Sequence, residues 1–351
     1  MVKAMEQKNI PPKNISPKYI SKASLKAWLA KVKDDGRHIY APVTENGKTN
    51  FKRVKSVDEI SMAHIQTAQS AKGAVFPRTE KLFSYARQQG DVALQDYNPG
   101  DIPDTVVFGL HPCDAAAFKA LSGIFNWGAQ DKPFSERMQR VTLVGVSCSR
   151  SDVFCFCTSV GGHPGSAEGS DILLTAIGDD GYLVEIITDR GQALVEKSAD
   201  LFEAAAGISK EEHLASAPAR FSVEEVQRKM AGSFESDIWK KQSARCIGCG
   251  ACAFVCPACA CFDIQENAKG NGTGDRIRCW DSCGFSLFTL HTSGHNPRSV
   301  QSQRWRQRLL HKLCYMPDRL SVRGCTGCGR CSRACPVDMN LAEHLKEFER
   351  L

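Results

Sequence analysis

No stretch of this sequence approaches the roughly 18 consecutive apolar residues that a membrane-spanning helix requires. The opening residues, Met-Val-Lys-Ala-Met-Glu-Gln-Lys-Asn, hold no apolar segment of a secretory leader and no twin-arginine start. No Gly-x-Gly-x-x-Gly lies between a strand pattern and a helix pattern, and there is neither a phosphate-loop motif nor a His-Glu-x-x-His. The nearest candidate, Gly270-Asn271-Gly272-Thr273-Gly274, has no helix pattern after it and reads as a turn. These absences argue against a membrane span and against a flavin, nicotinamide or nucleotide site of the chain's own. A reducing, cytoplasmic location is the expectation.

Cysteine, by contrast, is abundant, with 17 in 351 residues. In a small secreted domain that density would mean a disulfide framework, but here the spacings are those of metal ligands. Cys246-x2-Cys249-x2-Cys252-x3-Cys256-Pro257 and Cys325-x2-Cys328-x2-Cys331-x3-Cys335-Pro336 write the bacterial ferredoxin run twice. Two-residue gaps let the backbone curl around a cubane, so that three thiolates of one run reach three of its irons. In two-cluster ferredoxins the cysteine before proline ligates the other cluster. One [4Fe–4S] cluster is therefore expected on Cys246, Cys249, Cys252 and Cys335, and the other on Cys325, Cys328, Cys331 and Cys256. A zinc site needs only four ligands in pairs, which leaves two complete runs unexplained.

Charge is uneven along the chain. Residues 1–239 carry 28 Lys/Arg against 30 Asp/Glu, a net −2, and residues 240–351 carry 17 against 9, a net +8. A basic surplus can signal nucleic acid. Here an oxidised cluster with its four thiolates brings about −2, so the surplus reads as counter-charge to buried anions. No nucleic-acid partner is expected. The segment with Arg304, Arg306, Arg308, His311 and Lys312 reads either as such counter-charge or as a docking face for an acidic partner.

Residues 1–23, polar and Pro/Lys-rich, read as an irregular arm, and 24–32 as a helix with Leu25, Trp28, Leu29 and Val32 on one face. Residues 38–43 and 51–54 pattern as a hairpin across Glu45-Asn46-Gly47, and 172–177 with 182–188 as another across Gly178-Asp179-Asp180-Gly181. The apolar runs 105–110 and 141–146 suit buried strands around a helix at 115–125. Residues 192–206, 222–234, 301–313 and 340–351 read as helices. The fold expected is an α/β (α+β) platform over 1–235, followed over 236–351 by a mostly α-helical, dicluster ferredoxin-like domain.

Nine cysteines lie outside the two runs. Cys113 follows the strand pattern ending at Leu110, Cys148 follows the one ending at Val146, and Cys155 and Cys157 come just beyond. If those strands are parallel neighbours their carboxyl ends share one rim of the sheet, where the four thiols can converge on a third Fe–S cluster or a zinc. The alternative is that they are small buried hydrophobes. Cys259, Cys261, Cys279 and Cys283 either support further ligation or pack beside the first run, and Cys314 reads as a core thiol.

Together the residues resemble a known family, comprising the A subunit of anaerobic sulfite reductase and the β subunit of cytoplasmic nickel–iron hydrogenases, or sulfhydrogenases. The resemblance runs from about Val75 to Leu341. It is carried by Phe76-Pro77-Arg78-Thr79-Glu80-Lys81-Leu82-Phe83, Pro112-Cys113-Asp114 and Cys155-Phe156-Cys157. Further marks are Arg245-Cys246-Ile247-Gly248-Cys249-Gly250, Cys256-Pro257-x-Cys259-x-Cys261, Trp280-x2-Cys283 and Arg308-x2-His311-Lys312. Cys279 departs from the family pattern. The resemblance implies a relay subunit that takes electrons from a partner binding FAD and NAD(P)H. It would pass them to a catalytic subunit of sulfite reductase, nickel–iron hydrogenase or heterodisulfide-reductase type. Two other readings predict different chemistry: a reductase acting on a sulfur compound at the Cys113/Cys148/Cys155/Cys157 site, and a zinc-binding structural module.

Overall fold

The computed structural model describes residues 16–205 and 207–351, so the part of the expected arm before Ser16 lies outside the described residues. The strands are β1 (Lys18–Ser21), β2 (His38–Glu45), β3 (Lys48–Arg53), β4 (Thr79–Gln88), β5 (Asp91–Asp96), β6 (Thr105–Leu110), β7 (Val141–Val146), β8 (Ile172–Ile177), β9 (Gly181–Ile186), β10 (Glu203–Ala204), β11 (Phe262–Gly270) and β12 (Thr273–Trp280). Eight form one sheet in the order β10-β1-β9-β8-β7-β6-β2-β3. Its centre is parallel, β2 with β6, β6 with β7 and β7 with β8, and both flanks are antiparallel.

The parallel centre follows from its residues. β7 is buried at every position and β6 at all but the first, so both need cover on two faces. Val106, Phe108, Val144 and Val146 pack on one face with Trp28 and Leu29, whereas Val107, Leu110 and Leu143 face Phe76, Phe118 and Leu121 on the other. The pairing with β7 slips between Phe108 and Leu110. The residue between them is Gly109, at φ +80°, where a Cβ would lie 2.9 Å from Pro42. That bulge re-aims the end of β6 just before Cys113. The helix Pro112–Phe125 then returns the chain toward β7, so the rims following Leu110 and Val146 are adjacent as expected.

Both predicted hairpins are present, as β2–β3 and β8–β9. Asn46 and Gly47 both take positive φ, as a two-residue I′ turn demands. The end of the supposed arm is instead β1, inserted between β9 and β10. Of the predicted helix 192–206, the chain forms Asp189–Glu196, a short 3₁₀ turn and β10, and residue 206 lies outside the described residues.

The region after 235 is not helical throughout. β11 and β12 form a long hairpin that joins β4 and β5 in a second, antiparallel sheet of order β11-β12-β4-β5. Arg278 of β12 stands directly opposite Glu80 of β4; the two are buried and ion-paired, and Arg278 also reaches Asp131. The helices Gln301–Leu310 and Leu341–Glu349 do form, and they enclose Trp239, Trp305, Leu309, Leu345 and Phe348. Val226 and Met230 of the helix Val223–Ala231 complete that core from the other side of residue 235.

Candidate metal centres

The two cysteine runs share a backbone. Each has glycine at the third and fifth positions, with φ of 69° and 72° at Gly248 and Gly250, and 67° and 70° at Gly327 and Gly329. A side chain in that left-handed region costs about 1 kcal/mol or more, so glycine makes the tight turn between successive thiols possible. Each run closes in one helical turn, Ala251–Phe254 or Arg330–Arg333, and the two turns pack against each other. Beside them is a cavity walled by Cys246, Cys249, Cys252 and Cys335, with Cys331, Trp305 and Met339 also on its surface. The structure thus puts Cys335 and Cys331 of the second run on the same wall as the three leading thiols of the first. Gln301 donates to Cys246 Sγ at 3.1 Å.

Cations are buried among the sulfurs. Lys312 Nζ lies 3.3 Å from Cys256 Sγ and 2.7 Å from the Gly324 carbonyl, which places it between Cys256 and the start of the second run. Arg308 donates to the Cys252 carbonyl at 2.7 Å and turns its other nitrogen toward Cys259 and Cys283, at 3.5 and 3.8 Å. Lys72 reaches the carbonyls of Ala253 and Cys259 and stands 4.0 Å above the Trp280 ring. All three are buried, and none has a carboxylate partner among the described residues. Such burial is costly unless anions compensate it. Arg308 and Lys312 are therefore not a docking face but counter-charge, whereas the buried Arg304 donates to Gln301 and to the Arg298 and Ser299 carbonyls; Lys312 sits where the helix widens into a π turn at His311–Tyr315.

The parallel pairing of β6 and β7 puts Cys113 and Cys148 on one rim of the sheet, with Cys155 and Cys157 in the segment that follows. Cys113 opens the helix Pro112–Phe125, and Cys148 Sγ lies 3.5 Å from His111 Nδ1. This group abuts the second run. Gln66 Nε2 bridges Cys113 Sγ at 3.5 Å and the Cys328 carbonyl at 3.4 Å, and Arg333 donates to Cys155 Sγ at 3.5 Å. The Phe156 N–H donates to the Gly327 carbonyl at 2.9 Å. The seam is so close that a Cβ at Gly327 would lie 2.5 Å from the backbone of Phe156 and Cys157. Gly327→Ala is expected to destabilise the chain by more than ~2 kcal/mol, because a positive φ is compounded with a backbone clash. Urea unfolding of the mutant should show the lowered midpoint; an unchanged midpoint would mean the seam is looser than drawn.

Burial pushes the Cys252 thiol up to about 11 and the Cys331 thiol up to about 12. Burial, followed by the neighbouring thiols Cys157 and Cys155, raises Cys148 as well. Buried thiols of this kind are inert as free nucleophiles and become thiolates when a metal displaces the proton. Among the described residues no group of three or more His, Cys, Asp or Glu is drawn tightly enough for a single metal ion. The first set lines a cavity instead. A many-sulfur, cation-lined, carboxylate-poor setting fits iron–sulfur clusters; Cys246, Cys249, Cys252 and Cys335 would hold one, and Cys325, Cys328, Cys331 and Cys256 the other.

Several residues escaped the sequence reading. Arg330, inside the second run, forms a bidentate pair with Asp114, next to Cys113, and also donates to Thr67. Its only sequence signal was its place within a Cys-Gly-Arg-Cys segment. Lys72 and Gln66 carried no signal at all. Cys314 lies in the helical core, as a core thiol should.

The family model of the 4Fe-4S dicluster domain matches residues 245–339, the segment containing both runs. Sulfhydrogenase 2 subunit beta of Pyrococcus furiosus is 29% identical over 328 residues, spanning 92% of this chain and 94% of that protein. F420-dependent formate dehydrogenase subunit beta of Methanocaldococcus jannaschii is 26% identical over 172 residues, spanning 45% of this chain and 36% of that one. No solved structure matches. The chain is thus similar over nearly its whole length to a hydrogenase β subunit. Its C-terminal part carries the 4Fe–4S dicluster domain within a mixed α/β fold.

Proposed function

We propose that this chain is an iron–sulfur electron-transfer subunit of a multisubunit oxidoreductase. It would relay electrons between a partner that binds FAD and NAD(P)H and a catalytic subunit. The observation that carries the reading is the continuity of the thiol groups. Cys113 meets the second run through Gln66 at the Cys328 carbonyl, the second run shares a cavity wall with the first, and the first reaches the surface. Cys249 is exposed, whereas the other sixteen cysteines are buried or half-buried, and Ile247 beside it is 65% exposed. Electrons would leave or enter there.

The two cubanes would supply one-electron couples at potentials set by hydrogen bonds, charge and solvent exposure. The chain's own residues set those conditions. Gln301 donates to a ligand sulfur, Lys312 and Arg308 hold positive charge beside the thiols and favour the reduced state, and Trp305, Met339 and Leu341 restrict water. Cys113, Cys148, Cys155 and Cys157 would hold a third cluster and so join the series; a zinc in their place would be structural only, since Zn²⁺ has no redox couple. The sulfhydrogenase likeness favours a hydrogenase-type or sulfur-reducing catalytic partner, with sulfite reductase and heterodisulfide-reductase assemblies as neighbouring classes. No helix among the described residues is long and apolar enough to cross a membrane.

Total iron, zinc and acid-labile sulfide in protein purified without oxygen test this directly. About eight irons per chain, with matching sulfide, are expected from the two cubanes, and about twelve if the N-terminal thiols hold a third. Zinc without sulfide would overturn the reading in favour of a structural metal module.

A further inference from the structure

Cys259, Cys261 and Cys283 belong to neither run nor to the N-terminal group, yet the fold gathers them. Cys261 immediately precedes β11 and Cys283 follows β12. Antiparallel pairing sets Phe262 opposite Trp280, and the Asp281 N–H donates to the Cys261 carbonyl at 2.9 Å. The base of the hairpin thereby sets Cys261 beside the Asp281-Ser282-Cys283 segment, two residues after Cys259. Arg308 then spans Cys259 and Cys283 at 3.5 and 3.8 Å. This guanidinium is buried and has no carboxylate partner among the described residues.

We infer that Cys259, Cys261 and Cys283 form a thiolate seat for an additional iron–sulfur cluster, adjoining the one that uses Cys256. Plain packing of small thiols gives no reason to bury a cation against them, since an uncompensated buried charge is strongly destabilising. A Cys261–Cys283 disulfide would make the sulfur at Cys283 neutral and leave Cys259 as the one thiol on that side of the guanidinium. Three thiolates on a cluster satisfy all of these groups at once. Cys279 supplies the contrast: it lies on the same hairpin, but its sulfur is 3.7 Å from the Thr79 hydroxyl, on the β4 side. It is not part of the seat.

The inference rests on the iron–sulfur reading of the chain, and the test separates the two. The full chain and its Cys261→Ser, Cys283→Ser and Cys279→Ser variants are purified without oxygen. Iron and sulfide are then counted, and Mössbauer and reduced-state EPR spectra recorded. Cys261→Ser and Cys283→Ser should each lose the same spectral component and about two to four irons per chain. The first-run signal, which reports an intact fold, should persist in both, and Cys279→Ser should match wild type. Unchanged iron in the two seat variants, loss of zinc instead, or loss of every cluster together would overturn the seat. Iron-free wild type would overturn the electron-transfer reading and the seat with it.

Discussion

Cys335→Ser is expected to abolish the cluster of the first cysteine run, not of the run in which it lies. The residual spectrum should match that of Cys246→Ser and differ from that of Cys325→Ser, with about four irons lost per chain. The physical basis is the cavity wall, on which Cys335 joins Cys246, Cys249 and Cys252 although nearly ninety residues separate it from them. By the same logic Cys256→Ser should reproduce Cys325→Ser. Lys312 stands between Cys256 and the start of the second run, so Cys256 is already turned toward it. If Cys335→Ser instead matched Cys325→Ser, each run would hold its own cluster and the crossing would be wrong.

Breaking the Arg330–Asp114 pair should cost about 3–5 kcal/mol, the penalty for stranding one member of a buried ion pair. Both side chains are 1% exposed, and the guanidinium bonds both carboxylate oxygens, at 2.5 and 2.6 Å. Asp114→Asn and Arg330→Met should each lower the urea midpoint sharply. The double variant Asp114→Leu/Arg330→Met should be less damaged than the sum of the singles, since no charge is then stranded. The pair also fixes register between Cys113 and the second run, so either single variant should disturb the spectrum of any N-terminal cluster. A loss below ~1 kcal/mol in both singles would show that water reaches the pair.

Much of this was legible in the sequence wherever the signal is local. The ligand spacings of the two runs, the Asn46-Gly47 turn and the unbroken apolar runs of β6 and β7 each declare themselves within a dozen residues. The shared rim beyond β6 and β7, where Cys113 and Cys148 lie, followed from those two strands. What stayed hidden depends on distant partners. β11 reads Phe-Asp-Ile-Gln-Glu-Asn-Ala-Lys-Gly and is exposed at every position after Phe262, so it lacks the alternation that marks a half-buried strand. β5 is exposed throughout. β1 is four residues long, too short for any period. Arg330 and Asp114 are 216 positions apart and have no pattern in common. Arg308 and Lys312 were visible as a basic helix, but whether that charge faced solvent or sulfur depended on the packing of the helix.

The second sheet also has a consequence in time. β4 and β5 can pair as soon as they are made, but the other edge of β4 belongs to β12, and 185 positions separate Gln88 from Thr273. At translation rates of about 5–20 residues per second, that edge stays open for roughly 10–40 s while the chain is synthesised, with Glu80 waiting for Arg278. Over the same interval the N-terminal thiols have emerged but the second run, against which they pack, has not. Maturation is thus ordered by the ribosome: the rim that bears Cys113 and Cys148 is complete early, and the second run that packs against it arrives last.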